Sequence, residues 1–317
     1  MLRLKSIRFK NYCGYKDAFF DFTDGQDIKN LALFYGPNGT GKTSMLQAIQ
    51  LLGNASLYVP RGVDDKTGYG DDLQFRKLTY HPDYDPSYES FEKARDTMEI
   101  EGIFLHDGQE RKVIFNSGGL VLNELSSDNG QRDFTLFTDA DSPMTTGKFQ
   151  LHSKYKDKFL TIAQAIFTYP VILDKFVPSN HGFGFEEALK STSIGEKLFG
   201  EQNKSDGYYT DVTITKKDGT KVHFRRFSGG ERKIVTLLAQ LCSPEWYDKY
   251  DVILIDMLEK EVYMTRHAPM IDSIRKEFAD KQVFATTHSA ILVGHDNYPG
   301  YVEKKYLYNT EDYIESR

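Results

Sequence analysis

The chain has 317 residues and a formal net charge of −6; 39% of its residues are hydrophobic and 14% aromatic, with 20 Tyr and 22 Phe. That is enough to bury a large core in one α/β domain with an insertion, or in two domains. The charge balance excludes wholesale wrapping of nucleic acid while leaving room for a local basic stripe. No apolar run approaches the ~18 residues of a membrane helix, and the start MLRLKSIRFK alternates instead of forming a signal core. Cys13 and Cys242 are the only cysteines, too few for a disulfide framework or a Cys/His zinc cluster, so a cytoplasmic setting is expected.

In chain order, residues 2–9 and 17–22 alternate as two strands. Leu31-Ala32-Leu33-Phe34-Tyr35 reads as a buried strand, followed by Gly36-Pro37-Asn38-Gly39-Thr40-Gly41-Lys42-Thr43 and a helix with apolar Met45, Leu46, Ile49 and Leu52. Residues 54–95 are polar; the Asp-rich stretch 64–89, broken by Pro82 and Pro86, reads as a solvated loop. Residues 98–125 read as a β-meander with turns at His106-Asp107-Gly108 and Ser117-Gly118-Gly119, and 126–150 as a second loop. Helices are expected over 151–168 and 185–199, then a hairpin of Tyr208–Thr215 and Thr220–Arg226 turned by Lys217-Asp218-Gly219. Apolar Ile234, Leu237, Leu238 and Leu241 mark one face of a helix over 230–242. Val252–Ile255 is a buried strand by composition, 266–279 a helix, and Gln282–Thr286 a further strand.

Strand, glycine loop and helix form the context that a GxxxxGK[ST] phosphate-binding loop requires. Gly36, Gly39 and Gly41 let the backbone curl so that successive N–H groups point at phosphate oxygens, with the positive end of the helix dipole behind them. Lys42 supplies a point charge for the β- and γ-phosphates, and Thr43, followed by Ser44, places a hydroxyl for Mg²⁺. ATP with Mg²⁺ is the expected ligand pair.

Further segments follow in a telling order. Phe227-Ser228-Gly229-Gly230-Glu231-Arg232 opens a helix with a hydroxyl and backbone N–H groups suited to a γ-phosphate, and resembles the SGGE signature of ABC-type ATPases. Val252–Ile255 ending in Asp256 resembles a Walker B strand, whose Asp orients Mg²⁺. Ala285-Thr286-Thr287-His288-Ser289 resembles the switch segment, which implies that His288 contacts the γ-phosphate. The lid-loop Gln that such enzymes place near Mg²⁺ is assigned to Gln74, with Gln109 as the second candidate.

Together with LKSIRFKNYCGYKDAFFDF and GPNGTGKTSMLQAIQ, these segments resemble the RecF, SMC and OLD-like branch of the ABC-type ATPases, often described as AAA type 15 or 21. The resemblance covers the first 55 residues and about 208–295. It implies a P-loop NTPase fold: an α/β, SMC-head-like mixed sheet with flanking helices. The ATP-binding core is expected from 1–55 and 208–317, interrupted by a compact α+β insertion over 56–207 in place of a coiled coil. It also implies that Lys10 and Asn11 approach the nucleotide, and that the signature grips ATP held by a second subunit, closing a head-to-head homodimer. One departure is chemical. Most relatives follow the Walker B Asp with Glu, the base for the attacking water, whereas this chain has Met257. Glu259 is the next carboxylate and the candidate base, and slow hydrolysis is expected.

The family also implies work on DNA, in repair or antiphage defence. Lys216, Lys217, Lys221, His223, Arg225, Arg226, Arg232 and Lys233 form a basic cluster over 216–233 that suits duplex DNA phosphates, a solvated hairpin face, or an acidic partner. Lys221, His223 and Arg225 are expected to alternate onto one strand face. With no nuclease signature present, an effector nuclease or toxin would be a separate chain. The competing reading is an ATP-locked scaffold that holds such an effector; a transporter cassette is disfavoured by the long insertion and by Met257.

Overall fold

A computed structural model describes residues 1–55 (apart from 14, 26, 37 and 39), 97–125 (apart from 118), 135–139, 149–178, 207–292 (apart from 261 and 290) and 302–306. The chain forms two compact units. The first comprises Met1–Asp139, Tyr250–Leu258 and Phe278–Arg317, and the second Ala140–Lys249 and Glu259–Glu277. The meander stays with the phosphate loop in the first unit, and the helix after Ser228 belongs to the second.

The first unit holds a five-stranded antiparallel sheet in the order Tyr15–Asp21, Leu2–Tyr12, Glu99–His106, Gln109–Asn116, Gly119–Asn123. Its long strand carries a parity problem. Leu2 and Leu4 are buried, and so are Ile7 and Phe9, an odd step along a period-two strand. A register shift between Leu4 and Ser6 solves it: the bulge re-phases the pleat so that both pairs face the same core.

A second, five-stranded sheet runs Val302–Tyr306, Leu31–Tyr35, Gln282–Thr287, Val252–Asp256, Thr135–Asp139. Every pairing in it is parallel. Its central strands are buried along their length, which is why they read as continuous apolar runs. The helix Lys42–Gly53 buries Met45, Leu46, Ala48, Ile49 and Leu52 in one core with Leu4, Phe104, Phe115, Leu254 and Phe284. Gly102 permits its close approach, since a Cβ there would lie 2.8 Å from Leu52 Cδ1.

Two of these strands depart from the sequence expectation. Thr135–Asp139 lies within the stretch expected to be a loop, and Val302–Tyr306 was not anticipated. Each sits at an edge of the sheet with a partner remote in sequence, Val252–Asp256 and Leu31–Tyr35 respectively. A parallel edge strand of five residues leaves no local turn signal and little periodicity to read.

The second unit has a sheet in the order Leu151–His152, Gly207–Thr215, Val171–Pro178, with Lys221–His223 paired to Gly207–Thr215. The helix Lys156–Phe167 packs against Gly229–Leu241 and His267–Glu277. Phe159, Ile162, Ile166, Ile234, Leu238, Ile271 and Ile274 are buried there. The strand Val171–Pro178 lies between the two expected helices, where the sequence reading places no element, and the expected helix over 185–199 lies outside the described residues. Among the described residues no helix is long and apolar enough to cross a membrane.

Two side chains fasten the N-terminal strand to the parallel sheet: Asp251 accepts the Leu2 N–H at 2.7 Å, and Gln282 makes the more extensive clip. Gln282, 1% exposed, accepts the Leu4 N–H at 2.6 Å and donates to the carbonyls of Leu4 and Lys29 at 2.9 and 3.2 Å. Replacing it by Leu strands buried backbone polar groups, so Gln282→Leu should cost about 2–4 kcal/mol of unfolding free energy. Urea denaturation of the two proteins checks this; equal midpoints would refute the clip.

Candidate functional site

The phosphate loop starts where the buried strand Leu31–Tyr35 ends. Gly36 takes φ +151°, and a Cβ there would sit 3.1 Å from Thr40 Oγ1; Gly41 takes φ +82°, left-handed backbone that favours glycine. Gly41 is also the N-cap of the helix that begins at Lys42, and it supplies no capping side chain. An uncapped helix N-terminus of this kind is complemented by an anion.

Lys42 is nearly buried, at 6% exposure, and its ammonium donates to the Gly36 carbonyl at 2.9 Å, folded back over the loop. Thr43 Oγ1 donates to Asp256 Oδ2 at 2.9 Å. Asp256 ends the strand Val252–Asp256 and is itself buried. Its other oxygen, Oδ1, accepts from Thr286 Oγ1 at 2.5 Å. A cleft collects Asn38, Thr40, Gly41, Lys42, Thr43, Ser44, Asp256, Thr286 and His288, together with Cys13 and Met257. The fold thus brings residues of the loop, Asp256 and His288 to one cleft. Pro37 and Gly39 of the loop, and Gln74, lie outside the described residues. Gln109, the second candidate for that glutamine, accepts a hydrogen bond from Arg111 Nη2 at the start of Gln109–Asn116.

Two predicted residues are engaged elsewhere. Lys10 Nζ pairs with Glu99 Oε1 at 2.6 Å, and the Asn11 amide donates to Thr97 Oγ1 at 2.6 Å. The left-handed turns at Asn11 and Cys13, φ 45° and 44°, swing the chain so that Cys13 is the residue of this segment in the cleft. Burial pushes the Cys13 thiol up, partly offset by hydrogen bonds to Ser44 and Tyr12, which keeps it protonated at neutral pH. Glu259, the candidate base, belongs to the second unit. The cleft side chain next to Asp256 is Met257, in left-handed conformation at φ 50°.

Beneath the loop lies an aromatic footing that sequence reading missed. Tyr15 OH donates to the Gly41 carbonyl at 3.1 Å and Tyr12 OH to the Ser44 carbonyl at 3.0 Å. Phe9 stacks on both rings, at 5.1 and 4.9 Å between centroids. Nothing in the local pattern marks these tyrosines, because their targets are backbone atoms about 30 residues away.

In the second unit, Ser228 caps the helix Gly229–Leu241 in a capping box. Glu231 N–H donates to Ser228 Oγ at 3.3 Å, and the Glu231 carboxylate accepts the Ser228 N–H and Oγ–H, each at 2.9 Å. The basic hairpin departs from expectation at its end. The strand stops at His223, and Phe224–Arg226 is a turn of 3₁₀ helix that buries Phe224. Lys221 and His223 are exposed on the strand, but Arg225 projects from the 3₁₀ turn instead of continuing their alternation.

Residues 6–53 match the AAA domain family. The chain is 24% identical over 211 residues to the DNA replication and repair protein RecF of Enterococcus faecalis, covering 67% of this chain and 48% of that protein. It is 25% identical over 325 residues to the Septu protein PtuA of Bacillus thuringiensis, covering 92% and 73%. The chain thus spans about half the length of RecF. Among solved structures it is similar to the SMC head domain of Thermotoga maritima, with TM-score 0.51, 14% identity and coverage of 93% and 92%. An SMC head bound to the C-terminal winged-helix domain of ScpA gives TM-score 0.52, 13% identity and coverage of 91% and 90%. The fold is that of a P-loop NTPase head.

The loop geometry has a direct test. A Cβ on Gly41 would meet the Tyr15 ring at 2.9 Å, and that ring is held by Phe9 and by its own hydrogen bond. Left-handed strain adds to the clash, so Gly41→Ala should lower stability by about 1–3 kcal/mol. Thermal unfolding of Gly41→Ala, beside Gly108→Ala at an open left-handed turn, checks it: a smaller loss at Gly41 would refute the packing argument.

Proposed function

We propose, from the premise that this chain is a RecF/SMC-like member of the ABC-type ATPases, that it binds ATP with Mg²⁺ in the Lys42–Asp256 cleft and acts as a slowly hydrolysing nucleotide switch. The observation that carries this reading is the linkage of Thr43 and Asp256 at 2.9 Å beside the uncapped helix at Lys42. Thr43 and Asp256 would hold Mg²⁺: both offer hard oxygen donors on one side of the cleft, and the rest of its shell would come from phosphate oxygens and water. The ion would neutralise charge developing on the β- and γ-phosphates.

The chain's own groups then have definite tasks. Lys42 exchanges the Gly36 carbonyl for phosphate oxygens, moving its charge onto the ligand. The first-turn N–H groups hold the phosphate against the helix dipole. His288, exposed at the cleft, reaches the γ-phosphate. Met257 puts a thioether where relatives put the water-polarising carboxylate, so the chemical step lacks its local base and turnover is slow. Glu259, or a group from a second copy, would supply the residual activity.

Ser228–Glu231 is read as the surface that grips the nucleotide of a second copy, closing a head-to-head dimer. For that, Ser228 Oγ must release the Glu231 carboxylate that now accepts its proton. Similarity to RecF supports work in DNA repair, and the similarity to the Septu protein PtuA together with the OLD-like resemblance supports antiphage defence. The exposed Lys216, Lys217, Lys221, Arg225 and Arg226 offer a salt-sensitive contact for duplex DNA. The second reading, an ATP-locked scaffold for a separate effector nuclease or toxin, is favoured by Met257. An SMC head seen with a ScpA domain bound supports a protein partner on this fold.

Turnover of the purified chain with and without duplex DNA separates the readings. Lys42→Ala should abolish ATP binding, and undiminished affinity in that variant would sink the cleft assignment. Met257→Glu should raise turnover by roughly 10–100-fold if absence of a local base limits the rate. Stimulation by DNA supports the repair or defence ATPase; tight retention of unhydrolysed ATP supports the scaffold.

A further inference from the structure

The Thr286 hydroxyl links two groups of the cleft. It is fully buried. Its oxygen accepts the Met257 N–H at 2.8 Å, and it lies 2.5 Å from Asp256 Oδ1. An amide N–H can only donate, so the Thr286 oxygen is the acceptor in the first contact, and its single proton is left for the carboxylate. The direction of the chain is therefore settled: Met257 N–H to Thr286 Oγ1, Thr286 O–H to Asp256 Oδ1. The Thr286 carbonyl accepts the Leu258 N–H at 3.1 Å, so one residue ties down both amides of the turn after Asp256.

We propose that Thr286 is a positioning residue for the cation and nucleotide site: it holds Oδ1 of Asp256 so that Oδ2 stays on Thr43, and it pins the left-handed turn that presents Met257. The proposal rests on the nucleotide reading of the cleft and deepens it. With Oδ1 held by Thr286 and Oδ2 by Thr43, the carboxylate cannot rotate about its Cβ–Cγ bond without losing a charge-assisted hydrogen bond on each side. Thr286 stands two residues before His288, at the end of the strand Gln282–Thr287. Supporting groups that orient a metal-binding side chain in this way commonly change metal affinity or activity by about 10–100-fold when removed.

The test is the Mg²⁺ dependence of nucleotide binding, which needs no turnover. Anisotropy of a fluorescent mant-ATP is followed on the full chain, first in EDTA and then with increasing MgCl₂. Thr286→Val should raise the Mg²⁺ concentration for half-maximal enhancement by about 10–100-fold, leave binding in EDTA within about twofold, and Thr286→Ser should restore the wild-type midpoint. A structural role alone would lower Tm without moving the midpoint. A Thr286→Val midpoint equal to wild type overturns the proposal; where that variant does not fold, Thr286→Ala, which admits a water, is read against Thr286→Ser in the same way. Wild-type binding that ignores Mg²⁺ would instead remove the nucleotide–cation reading on which the proposal stands.

Discussion

The cleft depends on how one buried carboxylate is satisfied. Asp256 ends a strand whose other residues are wholly apolar, and a bare charge there would be costly. Two threonine hydroxyls, from a helix start and from a neighbouring strand, take one oxygen each. Hydrogen bonds to a charged acceptor contribute about 1.5–3 kcal/mol each, which offsets the cost of burying the carboxylate. The same two bonds tie the phosphate loop, the Asp256 strand and the switch strand into one unit of geometry. Parallel pairing of Leu31–Tyr35, Gln282–Thr287 and Val252–Asp256 brings the three strand ends to one edge, where open α/β sheets bind their ligands.

The antiparallel sheet supports this arrangement from the loop's other side. The Phe9, Tyr12 and Tyr15 rings stack under the loop, and the two hydroxyls take carbonyls of Gly41 and Ser44. Burying three aromatic rings rigidifies a backbone segment rich in glycine, whose freedom would otherwise oppose phosphate binding. The bulge at Leu4–Ser6 belongs to the same design, since without it Ile7 and Phe9 would face away from the core.

Met257 shows the balance between geometry and chemistry. A bulky residue at φ 50° is uncommon, and it persists because Thr286 holds its N–H and that of Leu258. The result is a cleft well organised for gripping a nucleotide and, in the proposed reading, poorly equipped to polarise water.

Much of this was legible in the chain because it is written locally. GPNGTGKT needs only glycines, a lysine and a hydroxyl at set spacing, so Gly36, Gly41, Lys42 and Thr43 fall where the motif puts them. Leu31–Tyr35 and Val252–Asp256 are apolar because both faces of a parallel strand are covered, and that composition reads directly. What only the tertiary structure decided involves partners far apart in sequence. Thr135–Asp139 becomes a strand by pairing with Val252–Asp256, Lys10 is drawn to Glu99 instead of the cleft, Tyr15 reaches Gly41, and Thr286 reaches Asp256. The identity of a threonine or tyrosine says that it can donate a hydrogen bond. Which acceptor it meets is set by the packing of elements that no local pattern records.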